Sequence, residues 1–256
     1  MKIEIAGKKV GLALGGGGVL GAAHIGVIKS LEENKIPIDY ISGTSIGALV
    51  ASVYAFGMPL EKIRKIALDL HWLDISEFSL SQYGLLSNEK IGKMITENLG
   101  DVNIEDSKIP LSVIATDISK GEKVVLTKGS LADAVMASTC IPGIFIPITK
   151  GNQLLVDGGV VENVPVYSLK EMGAQFTIGV DLTARQTFRK PKNILEIFTN
   201  TINLRLKNGT RLQASTADLL ISPDLSKFNL YETKQVPDLI EKGYHDSKES
   251  MMLLSK

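Results

Sequence analysis

The stretch "GLALGGGGVLGAAHIGVIKSLEEN", residues 11–34, decides the class of fold. A short apolar run leads into four consecutive glycines that begin at Gly15, and a helical pattern follows in which Ile25, Ile28 and Leu31 recur on one side. Strand, glycine loop and helix in that order form the repeating unit of parallel α/β proteins. The stretch therefore predicts a strand whose carboxyl end opens onto the amino terminus of a helix.

Strand-like runs alternate with helical patterns along the rest of the chain, which favours βαβ units. The runs are continuously apolar, as expected of a mainly parallel sheet that is covered on both faces. The strand candidates are "KKVGLAL", "IDYIS", "LSVIATD", "KVVLT", "LLVDG", "FTIGVDL" and "ADLLIS". We expect an α/β fold in one domain over residues 1–256, because no repeat or low-complexity linker divides the chain.

Two of the intervening segments have clear helical patterns with defined ends. The first runs from Leu60, after Pro59, and the second runs from Ser87, as a cap, to Gly100. Their apolar faces consist of Ile63, Ile66, Ala67 and Leu70 in the first helix, and Ile91, Met94, Ile95 and Leu99 in the second.

Composition excludes several classes of function. The chain has 28 basic and 28 acidic residues, so no overall field would attract nucleic acid. Cys140 is the only cysteine, which excludes an internal disulfide framework and a Cys-rich zinc site. No calcium-loop motif is present, and we expect no metal or other cofactor. No apolar stretch is long enough to span a bilayer and "MKIEIAGKKVGLALGGGG" lacks a signal-peptide pattern, so we expect a cytoplasmic protein.

A second glycine motif follows the next strand candidate. Gly43-Thr44-Ser45-Ile46-Gly47 lies at a strand-to-helix junction, and in α/β sheets chemistry collects at the carboxyl ends of strands. In a nucleophile elbow the serine takes a strained backbone conformation, and flanking glycines avoid collisions with the adjoining strand and helix. The Ser45 hydroxyl could equally cap a helix in a plain turn. The pentapeptide alone leaves both interpretations open.

The glycine run after the first strand candidate also has two interpretations. Gly16, Gly18 and Gly21 fit the dinucleotide fingerprint G-x-G-x-x-G. That fingerprint needs an acidic residue at the end of the next strand, whereas Asp39 precedes that strand. The same backbone N–H groups can instead form an oxyanion hole for a tetrahedral intermediate. Because a candidate elbow serine ends the next strand, we favour the oxyanion hole.

A serine nucleophile needs a base, and the chain has three histidines. We expect His24 to pack or to hold the glycine loop, and His71 adjoins Trp72 at the end of an amphipathic helix. His245 alone has the chain order of a hydrolase triad, but no strand end precedes it. The better candidate is Asp157, which ends the run "LLVDG" and precedes two glycines, although Asp-Gly pairs are also common in plain turns.

These motifs together resemble the patatin-like phospholipases, a family of lipid acyl hydrolases with a Ser-Asp dyad. The similar stretches are "GGGGVLG", "GTSIG" and "DGG", with further likeness in "HIGVIKSLEE", "IATDISKGEKV", "ASTCIPGIFIPI" and "VENVPV". The resemblance covers nearly the whole chain and implies a three-layer α/β/α sandwich with a mainly parallel central sheet. It implies Ser45 as nucleophile, Asp157 as base, and the backbone amides of Gly16, Gly17 and Gly18 as oxyanion hole.

The implied reaction is a metal-independent acyl transfer in two steps, with a lipid or other ester as substrate. One position departs from the family pattern: Leu20 stands where the family usually has Arg or Lys before the last glycine of the loop. A cation there could support the loop or an anionic group, so the departure bears on head-group preference and on activity. A regulatory or scaffolding relative with a degenerate site is therefore a third interpretation.

One segment of this uncharged protein is locally basic and apolar. Between Arg185 and Arg211 the single acid is Glu196. The segment predicts either a cover near the site that makes transient contact with an anionic membrane surface, or an ordinary helix with a buried apolar side and a solvated basic face. Its other cations are Arg189, Lys190, Lys192, Arg205 and Lys207, and its large apolar residues are Ile194, Leu195, Ile197, Phe198, Ile202, Leu204 and Leu206.

Overall fold

A computed structural model describes residues 3–69, 77–81, 84–187, 190–191, 194–230 and 232–255. The strands among these residues are β1 (Ile3–Glu4), β2 (Val10–Leu14), β3 (Tyr40–Thr44), β4 (Glu77–Ser81), β5 (Gly84–Ser87), β6 (Leu111–Asp117), β7 (Glu122–Leu126), β8 (Ile148–Lys150), β9 (Gln153–Asp157), β10 (Phe176–Val180), β11 (Leu219–Ile221) and β12 (Leu254–Ser255). The α-helices are α1 (Ala22–Glu33), α2 (Ile46–Ala55), α3 (Leu60–Asp69), α4 (Glu89–Leu99), α5 (Leu131–Ser138), α6 (Val166–Glu171), α7 (Ile194–Ala214) and α8 (Val236–Met251).

The central sheet has the strand order β11-β10-β2-β3-β6-β9-β8, and β7 also pairs with β6. The strands from β11 to β6 are parallel, whereas β7, β8 and β9 pair antiparallel with their neighbours. The sheet is therefore largely parallel, as the continuous apolar runs predict.

One edge of β6 brings two strand ends together. β7 pairs with residues 113–117 of β6, and β3 and β9 pair with parts of the same stretch, so β3 and β9 must share the opposite edge. β3 runs parallel to β6 and ends at Thr44 opposite Ile114, while β9 runs antiparallel and ends at Asp157 opposite Ala115. The carboxyl ends of β3 and β9 thus meet head to head.

Apolar layers cover both faces of the sheet. Leu12 and Leu14 of β2 belong to the large core, to which α1, α2, α5 and α8 contribute. Ala13, which points to the other face, packs in a smaller core with residues of α6 and with Ala214 of α7. The three-layer α/β/α arrangement is confirmed.

The predicted strands and both predicted helices are present, with small differences at their ends. α3 runs from Leu60, and Leu70 lies outside the described residues. The second helix, α4, begins at Glu89 with Asn88 at its N-cap position rather than Ser87. The Asn88 side chain instead donates to the Met136 carbonyl at 2.7 Å, while the Ser87 hydroxyl accepts from the Glu89 N–H at 3.2 Å.

Candidate active site

Ser45 occupies a strained turn between β3 and α2. Its φ of 55° and ψ of −127° lie in a region that L-residues rarely adopt. A Cβ on Gly43 would lie 2.5 Å from Ala48 Cα, and one on Gly47 would collide with the Leu14 carbonyl. The two glycines therefore have the steric role that a nucleophile elbow requires.

The Ser45 hydroxyl donates a hydrogen bond of 2.6 Å to Asp157 Oδ2. The Ser45 N–H donates to the Ser138 hydroxyl at 2.8 Å, and that hydroxyl donates to the Ile114 carbonyl at 2.5 Å. Ser138 thus links the turn to β6, the strand along which the ends of β3 and β9 meet. Ser138 lies in the stretch "ASTCIPGIFIPI", but its contacts could not be predicted from the sequence because they depend on how α5 packs beside β6.

Asp157 lies in an environment that makes its carboxylate a stronger base. Its side chain is 7% exposed, and burial raises the pKa of the carboxyl from 3.8 to about 6. Hydrogen bonds from Ser45 and from the Gly159 N–H, the latter 2.7 Å from Oδ1, partly oppose this rise. A carboxyl with a pKa of about 6 is ionised at neutral pH and still accepts a proton far more readily than an ordinary aspartate.

The glycine loop lies close to Ser45, and its N–H groups differ in whether they are hydrogen-bonded. The Gly16 N–H donates to the Asn163 carbonyl at 3.3 Å, so it is engaged, which the loop motif alone did not predict. No hydrogen bond to another described residue uses the N–H of Gly17 or Gly18. A Cβ on Gly16 would lie 3.2 Å from Ser45 Cβ, which shows how closely the loop approaches the serine.

His24 holds the first glycine of the loop. Its ring is buried, and Nε2 lies 2.7 Å from the Gly15 carbonyl oxygen. Burial lowers the pKa of the imidazole from 6.5 to about 4, so the ring is neutral near pH 7 and donates Nε2–H to that carbonyl. This contact agrees with a loop-holding role.

The other described sequence candidates, His245 and Asp39, have partners other than Ser45. The His245 side chain is 67% exposed on α8 and faces Glu241 at 3.7 Å, and His71 lies outside the described residues. The Asp39 carboxylate accepts from the Lys9 ammonium and the Val10 N–H, at the start of β2 rather than at the end of β3. Within the described ranges, no three acidic, His or Cys side chains converge as metal ligands.

An apolar cavity of about 140 Å³ is lined by Ser45. Ile46, Leu49, Val50 and Val53 of α2 line one wall at helical spacing, and residues of α1, α3, α4 and α8 line the others. From Ser45 to Val53 the wall is about 12 Å long at 1.5 Å per residue. This depth and lining suit an alkyl chain.

Leu20, the departure in the glycine loop, is fully buried in the large core. Its side chain therefore points away from solvent and contributes packing rather than charge. A cation in the same place would need a partner within that core.

A family model described as patatin-like phospholipase matches residues 12–170, more than half of the chain. The chain belongs to the patatin-like phospholipase family. The matched range includes the glycine loop, the Ser45 turn and Asp157.

Several curated proteins are similar to this member of the family. An uncharacterised NTE-family protein of Mycobacterium bovis is 38% identical over 181 residues, which cover 70% of this chain and 50% of that protein. Lysophospholipase NTE1 of Eremothecium gossypii is 34% identical over 184 residues, which cover 70% of this chain and 12% of that protein. The chain thus spans half or less of the length of these relatives.

Among solved structures, VipD from Legionella pneumophila has a similar fold. The TM-score is 0.60 at 15% sequence identity, and the match covers 96% of this chain and 67% of VipD. This likeness extends the common architecture beyond the range of the family model.

Proposed function

We propose that the protein is a serine lipid acyl hydrolase that cleaves carboxyl-ester bonds of phospholipids or lysophospholipids. The observation that carries the proposal is the 2.6 Å hydrogen bond from the Ser45 hydroxyl to Asp157, together with the apolar cavity that Ser45 lines. Membership of the patatin-like phospholipase family and similarity to a lysophospholipase support the lipid substrate.

In the first step Ser45 Oγ attacks the ester carbonyl carbon while Asp157 takes the hydroxyl proton. The N–H groups of Gly17 and Gly18 are candidate donors to the oxyanion, and a contribution from Gly16 would require its 3.3 Å bond to Asn163 to be shared. When the tetrahedral intermediate collapses, Asp157 returns the proton to the leaving alcohol. Water activated by Asp157 then releases the fatty acid.

The apolar cavity would hold the acyl chain. Its wall of α2 residues starts beside Ser45, so an alkyl chain bound there places its carboxyl carbon at the serine oxygen. Transfer of each methylene from water into such a cavity contributes about 0.8 kcal/mol. Selection for long acyl groups follows from this lining.

A dinucleotide-binding function has less support. The Gly16 N–H donates to Asn163, and the Val19 N–H donates to the Leu230 carbonyl at 2.9 Å. These donors would otherwise be directed at a pyrophosphate. A regulatory or scaffolding function with an inactive site is the remaining alternative.

Labelling with a fluorophosphonate separates these functions. We expect wild type to react and Ser45→Ala not to react, and Asp157→Asn to lose labelling because the serine keeps its proton. His245→Ala should retain labelling, since its side chain is exposed on α8. Wild type should also release fatty acid from lysophosphatidylcholine, with kcat/KM falling as the pH drops below about 6, where Asp157 takes up a proton. Absence of both labelling and release in wild type would favour the scaffolding alternative.

We propose in addition that α7 makes contact with anionic lipid surfaces. Ile194, Ile197, Leu204 and Leu212 recur on one side of the helix and are 84%, 54%, 58% and 72% exposed. Four large exposed aliphatic side chains on one side of a helix form an apolar surface, which favours a contact with a partner or a membrane. The side chains of Leu195, Phe198, Ile202 and Leu206 lie outside the described residues.

The surroundings of α7 are consistent with such a contact. Lys190 and Arg211 lie near its two ends, and near its carboxyl end Gln213 bonds to the backbone of the loop that follows Asp157. Basic residues beside an apolar stripe suit an anionic surface. Arg189 and Lys192 lie outside the described residues. None of the described helices is long and apolar enough to cross a bilayer.

Flotation with phosphatidylglycerol vesicles tests this contact. Ile194→Glu with Leu212→Glu should abolish binding, while Met252→Glu, at a position that is 73% exposed beyond α8, should bind as wild type does. Hydrolysis of a water-soluble ester should be the same in all three proteins. Vesicle binding that survives the double substitution would contradict the proposal.

A further inference from the structure

The loop after Asp157 carries another polar side chain beside the proposed dyad, and the mechanism above gives it no role. Asn163 Oδ1 lies 2.7 Å from the position that a Cβ on Gly16 would take, and 3.2 Å from the corresponding position on Gly159. The amide therefore fills the space that these two glycines leave open. One side chain borders both the glycine loop and the turn that carries the proposed base.

Among the described residues, hydrogen bonds hold the backbone of Asn163 but not its side-chain amide. Its N–H donates to Gln213 Oε1 at 3.0 Å, and its carbonyl accepts from the Gly16 N–H at 3.3 Å. Gln213 also donates to the Val161 carbonyl at 2.6 Å, which anchors the loop a second time. The side-chain amide makes no hydrogen bond to another residue in the described part of the chain, and the residue is only half-buried. An amide with two donors and an acceptor on an anchored backbone suits ligand recognition.

The position of this amide indicates which part of a substrate it meets. The cavity that would hold the acyl chain is lined by Ser45 and Gly18, and neither Asn163 nor Asp157 lines it. The leaving alcohol must approach Asp157 to receive its proton. Asp157 Oδ1 and Asn163 Oδ1 lie 3.0 Å and 3.2 Å from the same Cβ position on Gly159, so they border the same space. A group beside the leaving oxygen is therefore within reach of the amide.

We infer that the Asn163 amide forms a hydrogen bond with a hydroxyl next to the scissile ester in the alcohol half of the substrate. Asn163 is then a specificity-determining residue for esters of glycerol, such as lysophospholipids, over esters of alcohols without that hydroxyl. This inference rests on the proposed hydrolase function. One hydrogen bond between uncharged groups corresponds to a preference of about five- to tenfold in kcat/KM.

A pair of substrates that differ by one hydroxyl tests the inference. These are 1-acyl-lysophosphatidylcholine and its 2-deoxy analogue, in which propanediol replaces glycerol. Wild type should prefer the former about five- to tenfold, and Asn163→Leu, which keeps the branching at Cγ but removes the amide, should show no preference. Any effect of the hydroxyl on the reactivity of the ester itself is the same for both proteins, so the change in preference reports the contact.

Gln213→Leu is the matched control, because it loosens the same loop without altering the Asn163 amide. Its activity can fall, but its preference for the hydroxyl should remain. Fluorophosphonate labelling of Ser45 checks that each variant is folded, and Asn163→Ala serves if the leucine variant is not. A preference that persists in Asn163→Leu or Asn163→Ala overturns the inference and leaves the proposed hydrolase intact. A wild type that hydrolyses neither substrate overturns both.

Discussion

Ser45 combines a backbone conformation that is unfavourable for serine with the position of the proposed nucleophile. A φ of 55° with a ψ of −127° brings the Cβ close to its own backbone, and such conformations cost about 1–3 kcal/mol. The strain is tolerated because the Ser45 N–H is bonded to Ser138 and the hydroxyl to Asp157. In this conformation the hydroxyl meets Asp157 and the Ser45 Cβ lies beside the glycine loop.

Glycine at position 45 should relieve this strain. We expect Ser45→Gly to be more stable than Ser45→Ala by about 1–2 kcal/mol, because alanine keeps the Cβ and glycine does not. Both variants lack the hydroxyl, so the comparison isolates the backbone. Chemical denaturation measures the difference.

The same pair at Ser107 is the control for this comparison. Its φ is −64°, where glycine should be the less stable of the two by about 0.5–1 kcal/mol. Equal stabilities of Ser45→Gly and Ser45→Ala would show that the turn is unstrained.

At the scale of elements, the sequence predicted seven of the eight strands described in the central sheet, all but β8, but not how all of them pair. β10, β2 and β3 are parallel neighbours, as βαβ alternation predicts. β9 instead returns antiparallel along β6, and this reversal places Asp157 opposite the end of β3. Strand direction depends on pairing between residues far apart in the chain, so no local pattern carries it.

In the proposed site, too, some residues could be predicted from the sequence and others could not. Ser45, Asp157 and the glycine loop belong to motifs that can be read from residue types at fixed spacing. Ser138 and Asn163 come beside these residues through contacts that only the assembled sheet creates. The engaged state of the Gly16 N–H likewise follows from the loop that carries Asn163.

α1 and α8 pack closely because each has a glycine where the other approaches. A Cβ on Gly26 would collide with the Ile240 carbonyl, and one on Gly243 would collide with the Ala23 carbonyl. Backbone atoms form both contacts, so a side chain cannot move aside to make room. The two glycines therefore set the distance between the helices.

Alanine at either contact should separate these helices. We expect Gly26→Ala and Gly243→Ala each to lower the free energy of unfolding by about 1–3 kcal/mol or more. Gly209→Ala is the matched control, because Gly209 lies in α7 with nothing within 4 Å of its Cβ position. That substitution should raise stability by about 1 kcal/mol through helix propensity. Thermal and chemical denaturation of the three variants show whether alanine lowers stability where the helices are in close contact and raises it where they are not.

For the whole molecule, two buried groups give opposite contributions to stability as the pH changes. Burial raises the pKa of Asp157 from 3.8 to about 6, so the folded protein binds this proton more tightly than the unfolded chain does. The contribution of Asp157 to stability therefore falls as the pH rises from about 4 to about 6. Burial lowers the pKa of His24 from 6.5 to about 4, so the unfolded chain binds that proton more tightly and stability rises with pH there. Between about pH 4 and 6 the two contributions oppose each other.

Substitutions that remove one group should expose the contribution of the other. Asp157→Asn should be more stable than wild type by about 3 kcal/mol at pH 8, where the wild-type carboxylate is charged and buried, and by much less at pH 4. His24→Gln should lose more stability than wild type as the pH rises from 4 to 6, because the opposing contribution of His24 is removed while that of Asp157 remains. Urea denaturation at five pH values measures each slope, with His245→Gln as the control for an exposed imidazole. Slopes in Asp157→Asn and His24→Gln that match wild type would show that neither group titrates differently on folding. An Asp157→Asn protein that is more stable but inactive would mean that the proposed base is kept ionised at the expense of fold stability.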